Sequence, residues 1–145
     1  MSYPFEVMGL DAVAKFLAEP RHALIATNRS GGSPQLSPVW YLYEDDTLYF
    51  AVPVSSAKCR NLIRDPKVSA CIDGGHPDAR AVVFHGQARI LEASEHSIDE
   101  LHWRIARRYM DDDEETRQYM ERARAAGKMV VIALAPDKVI ARDYN

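Results

Sequence analysis

The sequence predicts an α+β fold: a small antiparallel β-barrel of about six strands with flanking helices. Three observations predict it. Short apolar runs separated by turn residues fill most of the first ninety positions. Two segments of helical spacing follow them, and strands and helices fail to alternate as a doubly wound parallel sheet requires. At 145 residues, 47% apolar and 27% charged, the chain reads as one domain able to bury its own core.

Leu10, Val13, Ala14 and Leu17 recur at three- and four-residue steps, predicting a helix over Leu10 to Ala18 that Pro20 stops. Ala23 to Thr27 reads as a buried strand, and Asn28-Arg29-Ser30-Gly31-Gly32-Ser33 as a turn. Gln35 to Tyr43 is the next strand, rich in β-formers; Pro38 inside it cannot donate to a ladder, which predicts an edge or a bulge. Glu44-Asp45-Asp46 turns the chain into Thr47 to Val52, with Leu48, Phe50 and Val52 on one face. These three strands are expected to form an antiparallel meander. Pro53 ends the third, and Ser55 or Ser56 caps a helix from about Ala57 to Arg64, stopped by Asp65-Pro66.

Val68 to Ile72 and Ala81 to Leu91 are the fourth and fifth strands, and Gly86 marks a bulge or barrel bend. Ile98, Leu101, Ile105 and Tyr109 form one helical stripe, and Tyr119, Met120, Ala123 and Ala126 a second, closed by Gly127. Met129 to Ala135 is a sixth strand, and Val139 to Ala141 a final short one.

Composition excludes several functions. Eighteen Lys+Arg against 21 Asp+Glu give a net charge of -3 and a pI near 5.9, against a nucleic-acid-binding surface. No apolar run approaches the roughly 18 residues of a membrane span. Met1 to Leu10, with Glu6 and no basic start, does not read as a signal peptide, so a cytoplasmic protein is expected. Cys59 and Cys71 form no paired motif, and the five histidines have no ligand spacing, so no metal is expected. G-x-G-x-x-G, G-x-x-x-x-G-K and G-x-S-x-G are all missing. His85 reads as a satisfied strand histidine and Cys59 as a small buried residue, although its basic helix could lower the thiol pKa. Trp40 and Tyr41 border a ring or belong to the core. No residue stands out as a general acid.

Charge is concentrated twice. Arg104, Arg107 and Arg108 are followed by the acidic run at 111–115, which reads as an offset helix face. Lys58, Arg60, Arg64 and Lys67 sit within ten residues, opposed only by Asp65. Ser55 and Ser56 stand at the predicted start of that basic helix, where free N–H groups and the positive dipole end favour an anion. Lys58 and Arg60 add charged donors one turn in. This segment reads either as a cradle for a terminal phosphate or as a serine cap on a solvated basic helix.

Three stretches carry a resemblance. Gly32-Ser33-Pro34-Gln35-Leu36-Ser37-Pro38-Val39-Trp40-Tyr41, then 56–69 with its Lys-x-Arg-Asn-Leu-x-Arg-Asp-Pro core, then Ala81-Val82-Val83-Phe84-His85-Gly86-Gln87-Ala88 occur in one order over about half the chain. Together they resemble the split β-barrel flavin-binding proteins related to pyridoxamine 5′-phosphate oxidase, and most closely the subgroup assigned to coenzyme F420, a deazaflavin. The resemblance implies a homodimer with cofactor sites at the subunit interface. It implies that Ser37, Pro38, Val39 and Trp40 lie along the ring system, that the Ser56/Lys58 corner holds the phosphate, and that Arg60 and Asn61 lie beside it. Ser55 joins that corner as the second hydroxyl at the helix start, and Arg60, Asn61 and Arg64 are expected at the cofactor's tail or its neighbourhood. Arg80 matches a ring-side position, although Ala81 stands where a glutamine normally follows. The C-terminal tryptophan and arginine that bind pyridoxal phosphate have no match in Asp137 to Asn145, which argues against vitamin B6 oxidation.

Four cations in ten residues exceed what the single phosphate of FMN requires, and suit a polyanionic tail lying along the helix. A solvated face, with Arg64 paired to Asp65, is the alternative. The expected function is an F420-dependent reductase passing a hydride to a small conjugated acceptor. An FMN-binding oxidoreductase and a non-enzymatic flavin or tetrapyrrole carrier are the alternatives.

Overall fold

The computed structural model describes residues 5–145. Residues 1–4, on which part of the N-terminal expectation rests, lie outside the described residues. In chain order the elements are β1 (Glu6–Val7), α1 (Leu10–Ala18), β2 (Ala23–Thr27), β3 (Gln35–Val39), β4 (Leu42–Glu44) and β5 (Thr47–Pro53). There follow α2 (Ala57–Arg64), β6 (Lys67–Asp73), β7 (Arg80–Ile90), α3 (Ile98–Arg107), α4 (Asp113–Ala126) and β8 (Met129–Asp143). The strands form one antiparallel sheet in the order β3-β2-β6-β7-β8-β5-β4, with β1 added against β8.

The two edges of this sheet, β3 and β4, are consecutive in the chain, and only Trp40 and Tyr41 separate them. Three Cα steps reach at most roughly 11 Å. The sheet therefore curls until its edges nearly meet, and the barrel stays split at these two residues. The expected strand over Gln35 to Tyr43 is thus two strands, and the expected meander does not form. β3 pairs with β2 at one edge, and β4 pairs with β5 at the other.

The cause lies in what Tyr41 bonds to. Its N–H donates to the Tyr109 hydroxyl at 3.1 Å, and its carbonyl accepts from Arg108. Neither group is left for a ladder. The fully buried Tyr41 side chain donates to the carbonyls of Leu17 and Glu19, both at 3.1 Å, at the end of α1. Tyr109 in turn donates to the Arg21 carbonyl at 2.5 Å, and burial pushes its phenol pKa up to about 12, so it stays a donor. Pro38, expected at an edge or a bulge, sits in edge strand β3.

β8 runs unbroken through Pro136 where two strands were expected. The irregularity is taken up as a bulge: the β7–β8 register shifts between His85 and Gly86, and Asp137 is left without a partner. Gly86 is needed there, because a Cβ would meet the Ala135 carbonyl oxygen at 3.0 Å. The turn between β4 and β5 holds Asp45 and Asp46 at φ 52° and 56°, the left-handed pair of a two-residue hairpin turn.

Alternate residues of each strand fill the curled interior, among them Ile25, Phe50, Ile72, Phe84 and Leu134. α1 contributes Val13, Phe16 and Leu17 to the same core; Leu10, expected on that face, is 89% exposed. On the other face of β5 and β8, Tyr49, Ala51, Val131 and Ala133 pack with Ile98 and Leu101 of α3. Asp112 caps α4 by accepting from the Glu115 N–H at 2.8 Å. No helix among the described residues is long and apolar enough to cross a membrane.

Candidate functional site

The β5–α2 junction forms as its local chemistry dictates. Ser56 is the N-cap of α2, its Oγ accepting from the Cys59 N–H at 3.2 Å. The hydroxyl hydrogen remains free to donate, and exposed Ser55 lends its carbonyl to Arg60. Arg64 donates to the Asn28 carbonyl and, at 3.4 Å, to Asn61 Oδ1. Asp65 does not pair with Arg64. Its carboxylate accepts instead from Asn28 Nδ2 at 3.0 Å and the Lys67 N–H at 3.1 Å.

Lys58, Arg60, Arg64 and Arg29 therefore have no carboxylate partner among the described residues. The second cationic group behaves differently. Arg104 reaches Glu44 at 2.6 Å and Arg107 reaches Asp113 at 2.8 Å, while Arg108 caps the carbonyl end of α1. Of the three, only Arg107 is offset by the acidic run.

Two of the concavities bordering β3 also take in residues of α2. At the start of β3, Arg29, Ser30, Gln35, Arg60, Asn61 and Arg64 surround a polar hollow of about 570 Å³. At its end, roughly 13 Å away along the strand, Pro38, Val39, Trp40 and Lys58 line an aromatic hollow of similar volume with α3 and α4. Between the hollows β3 has one free edge, along which alternate residues turn backbone N–H and C=O groups away from β2. Ser37 lies midway, and its Oγ is buried with no partner among the described residues.

The structure therefore gathers ten of the eleven sequence-predicted residues around β3 and α2: Ser37, Pro38, Val39, Trp40, Ser55, Ser56, Lys58, Arg60, Asn61 and Arg64. Their roles differ from expectation in places. Asn61 is 8% exposed and acts as a strut, donating to Thr27 Oγ1 at 3.1 Å and Gln35 Oε1 at 3.2 Å. Arg80 is not brought to the others within this chain. It stands at the far end of β7, seven residues or roughly 23 Å along the strand from Gln87, the partner of Lys67, bound to Asp78 at 2.7 Å. That contact holds the Asp78 carboxyl well below the usual range.

Cys59 is buried, and burial raises its thiol pKa against the lowering effect of Arg60. His85 faces away from the core, its Nδ1 2.7 Å from Ser69 Oγ. Sequence reasoning missed His22, His102, Tyr119 and Arg122 in the aromatic hollow and Arg29 in the polar one. The spacing of Tyr119, Arg122, Ala123 and Ala126 at three, four and seven is the signal that they share a face.

Burial holds the His102 imidazole below its ordinary pKa; Asp99 opposes that shift and Arg124 adds to it. The unfolded chain binds this proton more readily than the folded one, so stability falls as pH drops below roughly 6.5. Thermal melts between pH 7 and 5 are expected to show that slope, and His102→Gln to flatten it.

A curled antiparallel sheet, split between consecutive edge strands and bordered along one edge by a cationic corner, defines a split β-barrel. The chain belongs to the pyridoxamine 5′-phosphate oxidase family, whose model matches residues 10–143. A conserved hypothetical protein from Mycobacterium tuberculosis superposes with a TM-score of 0.80 at 26% identity, covering 96% of this chain and 87% of that one. A FAD-binding protein from Mesorhizobium loti gives 0.73 at 21% identity, covering 97% and 99%. An F420 reductase gives 0.65 at 18%, covering 86% and 93%. No curated protein matches this chain.

Proposed function

We propose that the chain is an F420-dependent reductase acting on a small conjugated organic acceptor. The observation that carries this reading is the set of cations without carboxylate partners, Arg29, Lys58, Arg60 and Arg64, spread along both ends of the free β3 edge. One phosphate needs only the Ser56–Lys58 corner; a tail of several carboxylates accounts for the rest. The residues fit such a ligand. Ser56 and Lys58 hold its phosphate, Arg29, Arg60 and Arg64 its tail, and the β3 edge with Ser37 and Val39 lies along its ring. When bound, the deazaflavin supplies the hydride; the protein binds, orients and excludes water. The likeness to an F420 reductase and to a FAD-binding protein is likeness of fold, and it is compatible with either cofactor.

A homodimer is part of the reading. Leu36 and Leu24 are 68% and 45% exposed, and with Pro38 they form an apolar patch on the outer face of β3 and β2 next to both hollows. A second copy covering this patch completes the sites and brings its own residues, Arg80 among the candidates, to their rim. Sedimentation velocity is expected to give a dimer. Both cysteines are unpaired, which suits a reducing cytoplasm.

Equilibrium titration with F420 and FMN in parallel tests the assignment. F420 is expected to bind more tightly, and the preference to require its glutamate tail. Arg60→Ala combined with Arg64→Ala should weaken F420 and leave FMN unchanged. Lys58→Ala should weaken either by about 1.5–3 kcal/mol, roughly tenfold to a hundredfold. Tighter binding of FMN, indifferent to the double substitution, overturns the reading.

A further inference from the structure

Tyr119 and Trp40 face each other in the aromatic hollow. The indole is stacked on Tyr109, ring centroids 4.9 Å apart and planes 9° from parallel, and tilts against Tyr119 at 5.1 Å. The Tyr119 hydroxyl lies 3.4 Å from His102 Nε2, and their rings meet edge to face. Buried His102 lines this hollow and also a second cavity of about 900 Å³ beside the start of β8; Tyr119 lines only the first. Lys58 and Arg122 border the aromatic hollow, and neither has a carboxylate partner among the described residues. Val39, Ile105 and Ala123 supply apolar wall.

We infer that this hollow binds a planar, conjugated carbonyl compound carrying negative charge, with the Tyr119 hydroxyl donating to its oxygen. Flat aromatic walls select a flat ligand. Arg122, the cation of this hollow that remains once Lys58 holds the cofactor phosphate, stands beside an apolar wall without a carboxylate partner among the described residues and selects an anion over a neutral aromatic compound. With its proton on Nε2, His102 donates to the phenol oxygen, so the phenol hydrogen is left for the ligand. Burial raises the Tyr119 pKa, which keeps that hydrogen in place at neutral pH.

For its chemistry this inference rests on the proposed hydride transfer from a reduced deazaflavin. A bound reduced deazaflavin would supply the hydride to the far carbon of the conjugated system; the electron pair would then move onto the carbonyl oxygen, where Tyr119 would place its proton to give the enol. His102 Nε2–H then reprotonates the phenolate, while Nδ1 takes a proton from solvent on the side of the second cavity.

Cofactor-free calorimetry with trans-cinnamate, a planar conjugated carboxylate, tests the site against 3-phenylpropionate, its saturated counterpart of equal charge. Cinnamate is expected to bind at least tenfold more tightly and to quench Trp40 saturably in a Trp103→Phe background. Tyr119→Phe, checked by an unchanged thermal melt, should weaken it about fivefold or more. His102→Asn should weaken it in the parent and not in Tyr119→Phe, because the imidazole acts through the phenol. Equal affinity for the two acids, or cinnamate binding indifferent to Tyr119→Phe, overturns the inference. Repeating the titration with F420 present separates the two proposals. Simultaneous binding supports the acceptor site, and mutual exclusion overturns it. Tyr119-dependent binding in a chain that takes up neither F420 nor FMN supports this site while removing the hydride reading.

Discussion

Arg108→Ala is expected to cost about 3 kcal/mol of unfolding free energy and lower the melting temperature by about 10 °C. The guanidinium donates to the carbonyls of Leu17, Ala18 and Glu19 at 2.9–3.2 Å, and to Tyr41. It also lies 4.7 Å over the Tyr41 ring. Truncation removes the Arg108 donor from the Ala18 carbonyl and from the Tyr41 carbonyl at the barrel split, and leaves those of Leu17 and Glu19 to the shared Tyr41 hydroxyl; unmade bonds at partly buried groups cost more than made ones contribute. Arg108→Lys keeps the charge and loses the planar fork, so it should recover less than half of the loss. Melts that place Arg108→Ala within 1 kcal/mol of the parent would remove the clamp from this account.

Asn61→Ala is expected to cost about 2 kcal/mol and to weaken F420 as well. Thr27, 1% exposed, loses the donor to its hydroxyl oxygen, and on the rim of the polar hollow Gln35 loses a donor and Arg64 an acceptor. Lys58→Ala makes the contrast: its ligand affinity should fall with no change in denaturant midpoint. Measuring both quantities in both variants separates strut from ligand contact. An Asn61→Ala protein of parent stability that fails to bind F420 would return Asn61 to the ligand.

Where a local signal was strong, the sequence was legible. α1, β2 and α2 fall where their apolar spacing, Pro20 and Ser56 put them. The split at Trp40 and Tyr41 was not legible. Both are good β-formers, and their pairing is decided by Arg108 and Tyr109, nearly seventy residues downstream. β8 was read as two strands, Met129 to Ala135 and Val139 to Ala141; the bulge that joins them depends on Gly86 in the strand opposite. Tyr119 read as ordinary helix core, since a stripe at three and four does not say whether it meets a wall or a cavity. Asn61 was placed beside the phosphate by the resemblance alone, and its bonds to Thr27 and Gln35 come from residues 34 and 26 positions away, beyond any local signal.

The bonds that fasten the seam between β3 and β4 have an implication for biosynthesis. On a ribosome, β2 to β5 emerge well before Arg108 and Tyr109, so a nascent chain holds two finished hairpins whose outer rims have nothing to meet. Such rims recruit foreign strands. A chain truncated ahead of α3 should therefore clump, and co-translational chaperones should engage this interval of synthesis above any other.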